Sequence, residues 1–153
     1  MRSEIDKGVI ELSVFREFEH KSTLRIDPNS VEKCSGESEP DIICKLIDEG
    51  PVAFELVEIC DPTLAATASE LRSGGVAVFS TSDPSQEIVR RKLQKTYKSD
   101  APVELLCYTN ARVVTPDDCI LDAIRPWFDA TNGPFRRVWL LGEDGLYEVW
   151  SAS

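Results

Sequence analysis

The sequence predicts an α/β domain: a mixed central sheet flanked by helices. Two apolar, β-branched-rich runs carry the first half of that expectation. Residues 41–47 (DIICKLI) and 52–60 (VAFELVEIC) are separated only by Asp48-Glu49-Gly50-Pro51, the pattern of a hairpin and so of antiparallel pairing. Two later runs, 103–108 (VELLCY) and 137–141 (RVWLL), each follow a helical stretch, and strand–helix–strand order is what parallel pairing needs. Size is the third observation: 153 residues suit one domain, read as 1–153.

Residues 3–20 read as a helix, because Ile5, Val9, Leu12, Phe15 and Phe18 recur at the 3/4 spacing of one helical face. Glu11 falls between Phe15 and Phe18 on that face, and Glu19 also lies on it. His20, near the end, suits a C-terminal cap, where a cation is favoured. Residues 22–26 read as a short strand. Residues 27–39, with Pro28, Asn29, Ser30, Ser35, Gly36 and Ser38, read as a loop. The hairpin follows, closed by Asp61-Pro62. Residues 63–72 read as an Ala-rich helix stopped by Ser73-Gly74-Gly75, and 76–79 as a short strand or apolar anchor. Asp83 and Pro84 supply the N-cap and first position of a helix running to about Lys98. After strand 103–108, Thr115-Pro116-Asp117 starts a helix bearing Ile120, Leu121, Ile124, Trp127 and Phe128, which Pro126 kinks or shortens. Strand 137–141, a turn at 142–145 and strand 146–150 complete the order. Trp127, Trp139 and Trp150 are spaced as core residues.

A composition of 42% hydrophobic and 29% charged residues excludes collagen-like and disordered classes. No apolar run approaches the roughly 18 to 20 residues of a membrane span, and the first residues carry charges where a signal peptide needs an apolar core. Cys34, Cys44, Cys60, Cys107 and Cys119 are odd in number and never spaced C-x-x-C, so reduced thiols and a cytoplasmic protein are expected. A net charge of -10 argues against a general nucleic-acid coat. One stretch runs the other way. Between Gln86 and Lys98 stand Arg90, Arg91, Lys92, Lys95 and Lys98 against Glu87 alone, a candidate contact for the phosphate backbone of DNA.

The chemistry centres on two carboxylates. Asp41 follows Pro40 at the start of the first hairpin strand. Glu55 stands in the middle of the second, where a charge needs a partner, either a metal or an arginine such as Arg136 or Arg137. With the turn near Asp48-Glu49, Asp41 comes close to the level of Leu56 and Val57, within reach of a shared hard divalent cation. On a helical wheel Lys92 and Thr96 fall inside the apolar arc of Ile88, Val89, Leu93 and Tyr97, while Arg90, Gln94 and Lys95 fall outside it or at its edge. Lys92 thus either points to the two carboxylates or lays its stem along the core with its ammonium in water.

A helix with a glutamate, then Pro40-Asp41, a turn, and Glu55 within an apolar strand resembles the PD-(D/E)XK nuclease superfamily. VRRKLQKTY (89–97) is similar to the helix that follows the metal-binding strands there, and VELLCY and FRRVWLL to the strands that complete the sheet. The resemblance spans Glu11 to Trp150. It implies a restriction-endonuclease-like fold and Mg²⁺- or Mn²⁺-dependent hydrolysis of DNA phosphodiesters. It also implies Asp41, Glu55 and Glu11 as metal ligands, with Glu19 the alternative first-helix acid. The family's lysine, two residues after the strand glutamate, is Val57 in this chain. Lys92 is then the expected catalytic replacement, and Lys45, on the same strand face as Asp41, another candidate. The competing expectation is a catalytically inactive nuclease-like fold acting as a binding or accessory protein. A homodimer or an unidentified protein partner is the expected assembly.

Overall fold

The computed structural model describes residues 4–34, 36, 38–59, 84–109, 116–129 and 133–152, with the backbone alone for residues 4–6 and 84–86. The helix expected at 63–72 and the strand or anchor at 76–79 fall outside these residues, as do Cys60, Asp83 and Thr115.

Six strands form one sheet in sequence order. They are β1 (Glu32–Lys33), β2 (Ile42–Leu46), β3 (Gly50–Glu58), β4 (Val103–Tyr108), β5 (Phe135–Leu141) and β6 (Leu146–Ser151). β1, β2 and β3 pair antiparallel, β3, β4 and β5 parallel, and β6 returns antiparallel to β5. The sheet is therefore mixed and open. Three helices accompany it among the described residues: α1 (Glu4–Lys21), α2 (Pro84–Leu93) and α3 (Asp117–Asp129). None of the helices described is long and apolar enough to cross a membrane.

The period-2 alternation of the strands separates two cores. Phe54 and Leu56 of β3, Leu106 and Tyr108 of β4, and Trp139 and Leu141 of β5 face α1, where Phe15 and Phe18 meet them. Ala53 and Val57, Leu105 and Cys107, and Val138 and Leu140 face α2 and α3, which bring Val89, Leu93, Ile120, Ile124 and Phe128. Phe18 packs on Phe54 and Trp139, with ring centroids 5.2 and 5.5 Å away. Burying each such side chain contributes about 2 to 3 kcal/mol.

The β2–β3 turn spans three residues, with Leu46 paired to Gly50. Gly50 has φ +86°, a conformation an L side chain strains against, so glycine fixes this hairpin and its register. That register sets Ile42 opposite Phe54, which carries Asp41 to the level of Glu55 and Leu56 rather than Leu56 and Val57. At the opposite end of the sheet the buried Asp117 accepts the backbone N–H groups of Glu143 and Asp144 (3.0 and 2.9 Å), tying the β5–β6 turn to the start of α3.

Four local expectations change. Residues 22–26 form no strand; Ile26 makes a single bridge to Leu46. The sheet's edge instead comes from the expected loop, which holds a 3-10 turn at Pro28–Ser30 and then β1. Val9 is 62% exposed, because the inward face of α1 runs through Glu11, Phe15 and Phe18. Most consequentially, the basic helix ends at Leu93 rather than near Lys98. Its last turn tightens into i→i+3 bonds, Gln94 N–H to the Arg91 carbonyl and Lys95 N–H to that of Lys92. The chain then runs on to Lys98, whose N–H bonds the Ser38 carbonyl. Pro126 does not shorten α3, which continues to Asp129.

Candidate functional site

Asp41 enters β2 behind the buried Pro40, and two hydrogen bonds lock it to β3. Its Oδ2 accepts the Leu56 N–H at 2.9 Å, and its own N–H donates to Glu55 Oε1 at 3.2 Å. Glu55 is 2% exposed and shares the strand face of Ala53 and Val57, toward α2. Its Oε2 accepts the Tyr97 hydroxyl at 2.8 Å and lies 3.1 Å from Lys92 Nζ and 3.8 Å from Lys95 Nζ. The third carboxylate is Glu11, 3% exposed on the inner face of α1. Lys33 of β1 stands between it and the others, with Nζ 3.2 Å from Glu11 Oε1 and 3.9 Å from Asp41 Oδ1. Glu11, Asp41, Glu55, Lys33, Lys92 and Lys95 all line one cavity of about 800 Å³.

Burial raises the Glu55 carboxyl above its ordinary range, and the hydrogen bond and charge of Asp41 raise it further, against the pull of Lys92 and Tyr97. Asp41 goes the other way. Burial is its strongest single influence and opposes ionisation, yet the hydrogen bonds from Glu55 and Leu56 and the charges of Lys92 and Lys33 outweigh it, leaving Asp41 below its ordinary range. The shared site thus pushes the proton affinities of the two carboxyls apart. Glu11 is raised by burial and then by Asp41, with Lys33 drawing it back. Burial and the neighbouring Glu55 push the Tyr97 phenol upward, so it serves as a hydrogen-bond donor.

Among the described residues no three His, Cys, Asp or Glu side chains are gathered closely enough to hold a metal ion by themselves. Asp41 and Glu55 form a pair, and Glu11 joins them only through Lys33. Two paired carboxylates are a donor set that a hard divalent cation retaining several waters would fit, with the Cys34 thiol lining the same cavity.

The other candidates lie elsewhere. Glu19, half-buried and outside the cavity wall, pairs with Arg16 at 2.9 Å. Lys45 is exposed and outside the cavity wall. Arg136 and Arg137 pair with Glu104 instead of Glu55. Of the basic stretch, Arg90 and Arg91 turn outward to Glu87, at 2.7 and 3.5 Å, while Lys92 and Lys95 turn into the cavity. Sequence reasoning missed Lys33, Lys95 and Tyr97. The wheel put Lys95 at the edge of an apolar arc and Tyr97 within it, but the helix has ended before both. Lys33 lay in a stretch read as loop and offered no signal.

Set against known proteins, the chain matches no family model, no curated protein and no solved structure, so the geometry of this cavity carries the functional argument.

Proposed function

We propose that the chain is a metal-dependent nuclease of restriction-endonuclease-like fold, hydrolysing DNA phosphodiesters with Mg²⁺ or Mn²⁺. One observation carries the reading: Asp41, Glu55 and the Lys92 ammonium converge in one cavity, from a hairpin and the helix after it. The order of elements agrees with it. A helix bearing Glu11 leads to an antiparallel hairpin, then to a helix and a strand parallel to the hairpin's second arm.

Asp41 and Glu55 would hold the cation directly, with Glu11 behind them. A bound divalent cation supplies a water of lowered pKa and offsets charge developing on the phosphoryl oxygens. The chain's own residues do the rest. Lys92 reaches from α2 to within 3.1 Å of Glu55, and there it orients the attacking water and stabilises the developing oxyanion. Val57, where a lysine would otherwise stand, is 4% exposed in the α2–α3 core, so the amine has to come from another element. Tyr97 fixes the Glu55 carboxyl by its hydroxyl. DNA would meet the lysines at the cavity and the outward arginines of α2. The compartment is the cytoplasm, where thiols such as the exposed Cys119 stay reduced.

A second reading, a nuclease-like accessory protein without catalysis, draws on Val57 and on the ion pairs that already engage each carboxylate. Cleavage of plasmid and oligonucleotide DNA in Mg²⁺ and Mn²⁺ separates the two. The nuclease loses at least about 100-fold in rate with Asp41→Asn or Glu55→Gln, each of which removes a ligand charge. DNA binding without cleavage in either metal selects the accessory reading. Absence of both Mn²⁺ binding and DNA binding ends both.

A further inference from the structure

The cavity is neutral in a chain of net charge -10. Lys7, Lys33, Lys92 and Lys95 line it against Glu11, Glu39, Asp41 and Glu55. The lysines are not spread along a rim to meet a ligand. Lys33 lies against two of the carboxylates and Lys92 and Lys95 against the third. Lys33 is the most exposed to competition. It comes from a two-residue edge strand, and its ammonium lies between Glu11 and Asp41 while bonding the Cys34 carbonyl at 3.0 Å. Its stem passes α1 at Gly8, whose Cβ position would lie in ordinary van der Waals contact with Lys33 Cε at 3.7 Å. Asp41 Oδ2 is committed to the Leu56 N–H, so Oδ1, the oxygen facing Lys33, is the one left to bind a cation.

We propose that Lys33 is a built-in counter-ion that couples metal to substrate. It holds Glu11 and Asp41 together without metal, yields them to a divalent cation, and then binds a phosphodiester oxygen. The inference rests on the nuclease reading of the same cavity and adds the order of events within it. A cation on Asp41 Oδ1 repels the Lys33 ammonium 3.9 Å from that oxygen, so metal binding pushes the lysine away from Asp41. Adding one divalent cation to the neutral cavity gives it a charge of about +2, the sign that draws in a phosphodiester. A Lys33 pushed from Asp41 keeps the Cys34 carbonyl, 3.0 Å away, and gains a further anion to pair with when the substrate is there. Each ligand therefore tightens the other, and the coupling is reciprocal.

The test is Mn²⁺ binding by calorimetry, with and without a short oligodeoxythymidine, on wild type, Lys33→Met and Lys33→Arg. With Lys33→Met, Mn²⁺ binds the free protein about 3- to 10-fold more tightly, because no ammonium has to leave. The oligonucleotide then tightens Mn²⁺ less than it does in the wild type. Lys33→Arg keeps the charge and with it the coupling. Mn²⁺ affinity unchanged or weakened in Lys33→Met, or coupling equal to that of the wild type, overturns the role of Lys33 while leaving the metal reading standing. No Mn²⁺ binding by wild type or variant overturns both. Should Lys33→Met fail to fold, Glu11→Gln is the second probe, since it loosens Lys33 from the other side. It is expected to reduce the coupling, and unchanged coupling there overturns the proposal.

Discussion

Glu55 and Glu104 are both essentially inaccessible to solvent, at 2% and 0%, and stand on neighbouring strands one register step apart. They point to opposite faces of the sheet and have opposite surroundings. Glu104 is completed. Arg136 donates to its Oε2 through Nη2 and Nε at 2.6 and 3.0 Å, Arg137 Nε donates at 3.0 Å, and Trp139 Nε1 meets Oε1 at 2.7 Å. Even the Arg137 Nη2, which makes no hydrogen bond, lies 2.8 Å from that carboxylate. Glu55 instead faces a second carboxyl, a phenol and two amines at the wall of a cavity, and its proton affinity is raised. Burial of charge is thus no mark of function. What distinguishes the two sites is that the partners of Glu104 are directed hydrogen-bond donors, whereas those of Glu55 include two ammoniums and a second carboxyl at a cavity wall.

The sharpest way to break this comparison is to remove each charge in turn. Glu104→Gln leaves two guanidiniums without their carboxylate and destabilises the fold by about 3 kcal/mol. Glu55→Gln frees the ammoniums of Lys92 and Lys95, whose side chains are 21% and 36% exposed and can hydrate at the cavity, and stability stays within about 1 kcal/mol of wild type. Urea denaturation midpoints decide it. Comparable losses in the two variants would make Glu55 a structural ion like Glu104.

Next in size is Lys92→Met against Arg136→Met. On the proposed nuclease reading, Lys92→Met lowers the cleavage rate roughly 100-fold, about 2.7 kcal/mol of transition-state stabilisation, with little change in folding. Arg136→Met does the reverse: the protein is less stable, and cleavage per folded molecule is unchanged. Single-turnover cleavage, normalised to the folded fraction, separates them. A rate unaffected in Lys92→Met assigns Lys92 to the same structural class as Arg136.

The contrast also explains what could be read from the sequence. The α/β class, the hairpin, the later strands and both main helices left periodic signals, because each buries one face. Asp41 and Glu55 were legible as charges at odds with an apolar run, and Lys92 as a charge inside an apolar arc. Glu104 carried the same signal as Glu55, a carboxylate inside VELLCY, and only the tertiary structure assigns the arginines to it. Lys33 and Tyr97 reach the cavity from segments whose path is set by long-range contacts. β1 exists through pairing with Ile42 and Ile43, and the extended stretch after Leu93 through the Lys98–Ser38 bond and the hydroxyl of Tyr97 on Glu55. No local pattern encodes a helix that ends because a later residue is needed elsewhere.

Trp139→Phe tests the completed side more gently. A phenyl ring stays between Phe18 and Arg137, and the indole N–H to Glu104 is lost along with the second ring. A buried hydrogen bond to a charged acceptor contributes about 2 kcal/mol, and the unfolding free energy from urea denaturation should fall by at least that amount. A loss under about 0.5 kcal/mol would mean the two arginines satisfy Glu104 alone.

Tyr97→Phe is the matching change on the unfinished side, and the effect expected is smaller. It also deletes one donor to a buried carboxyl, while the aromatic contact with Phe135, 5.7 Å between centroids, remains. Lys92 and Lys95 lie within 3.1 and 3.8 Å of the oxygen that loses the hydroxyl, and either ammonium can close on it. The stability loss should therefore be about 1 kcal/mol or less, below that of Trp139→Phe, although both variants remove one hydrogen bond of similar length. The inequality is what the comparison requires: a cluster with spare cations tolerates the loss of a donor, and a completed one does not. Equal losses would show that Tyr97 is as indispensable to Glu55 as Trp139 is to Glu104. The cavity would then be a second structural ion cluster, with its lysines fixed in place rather than available to a phosphodiester.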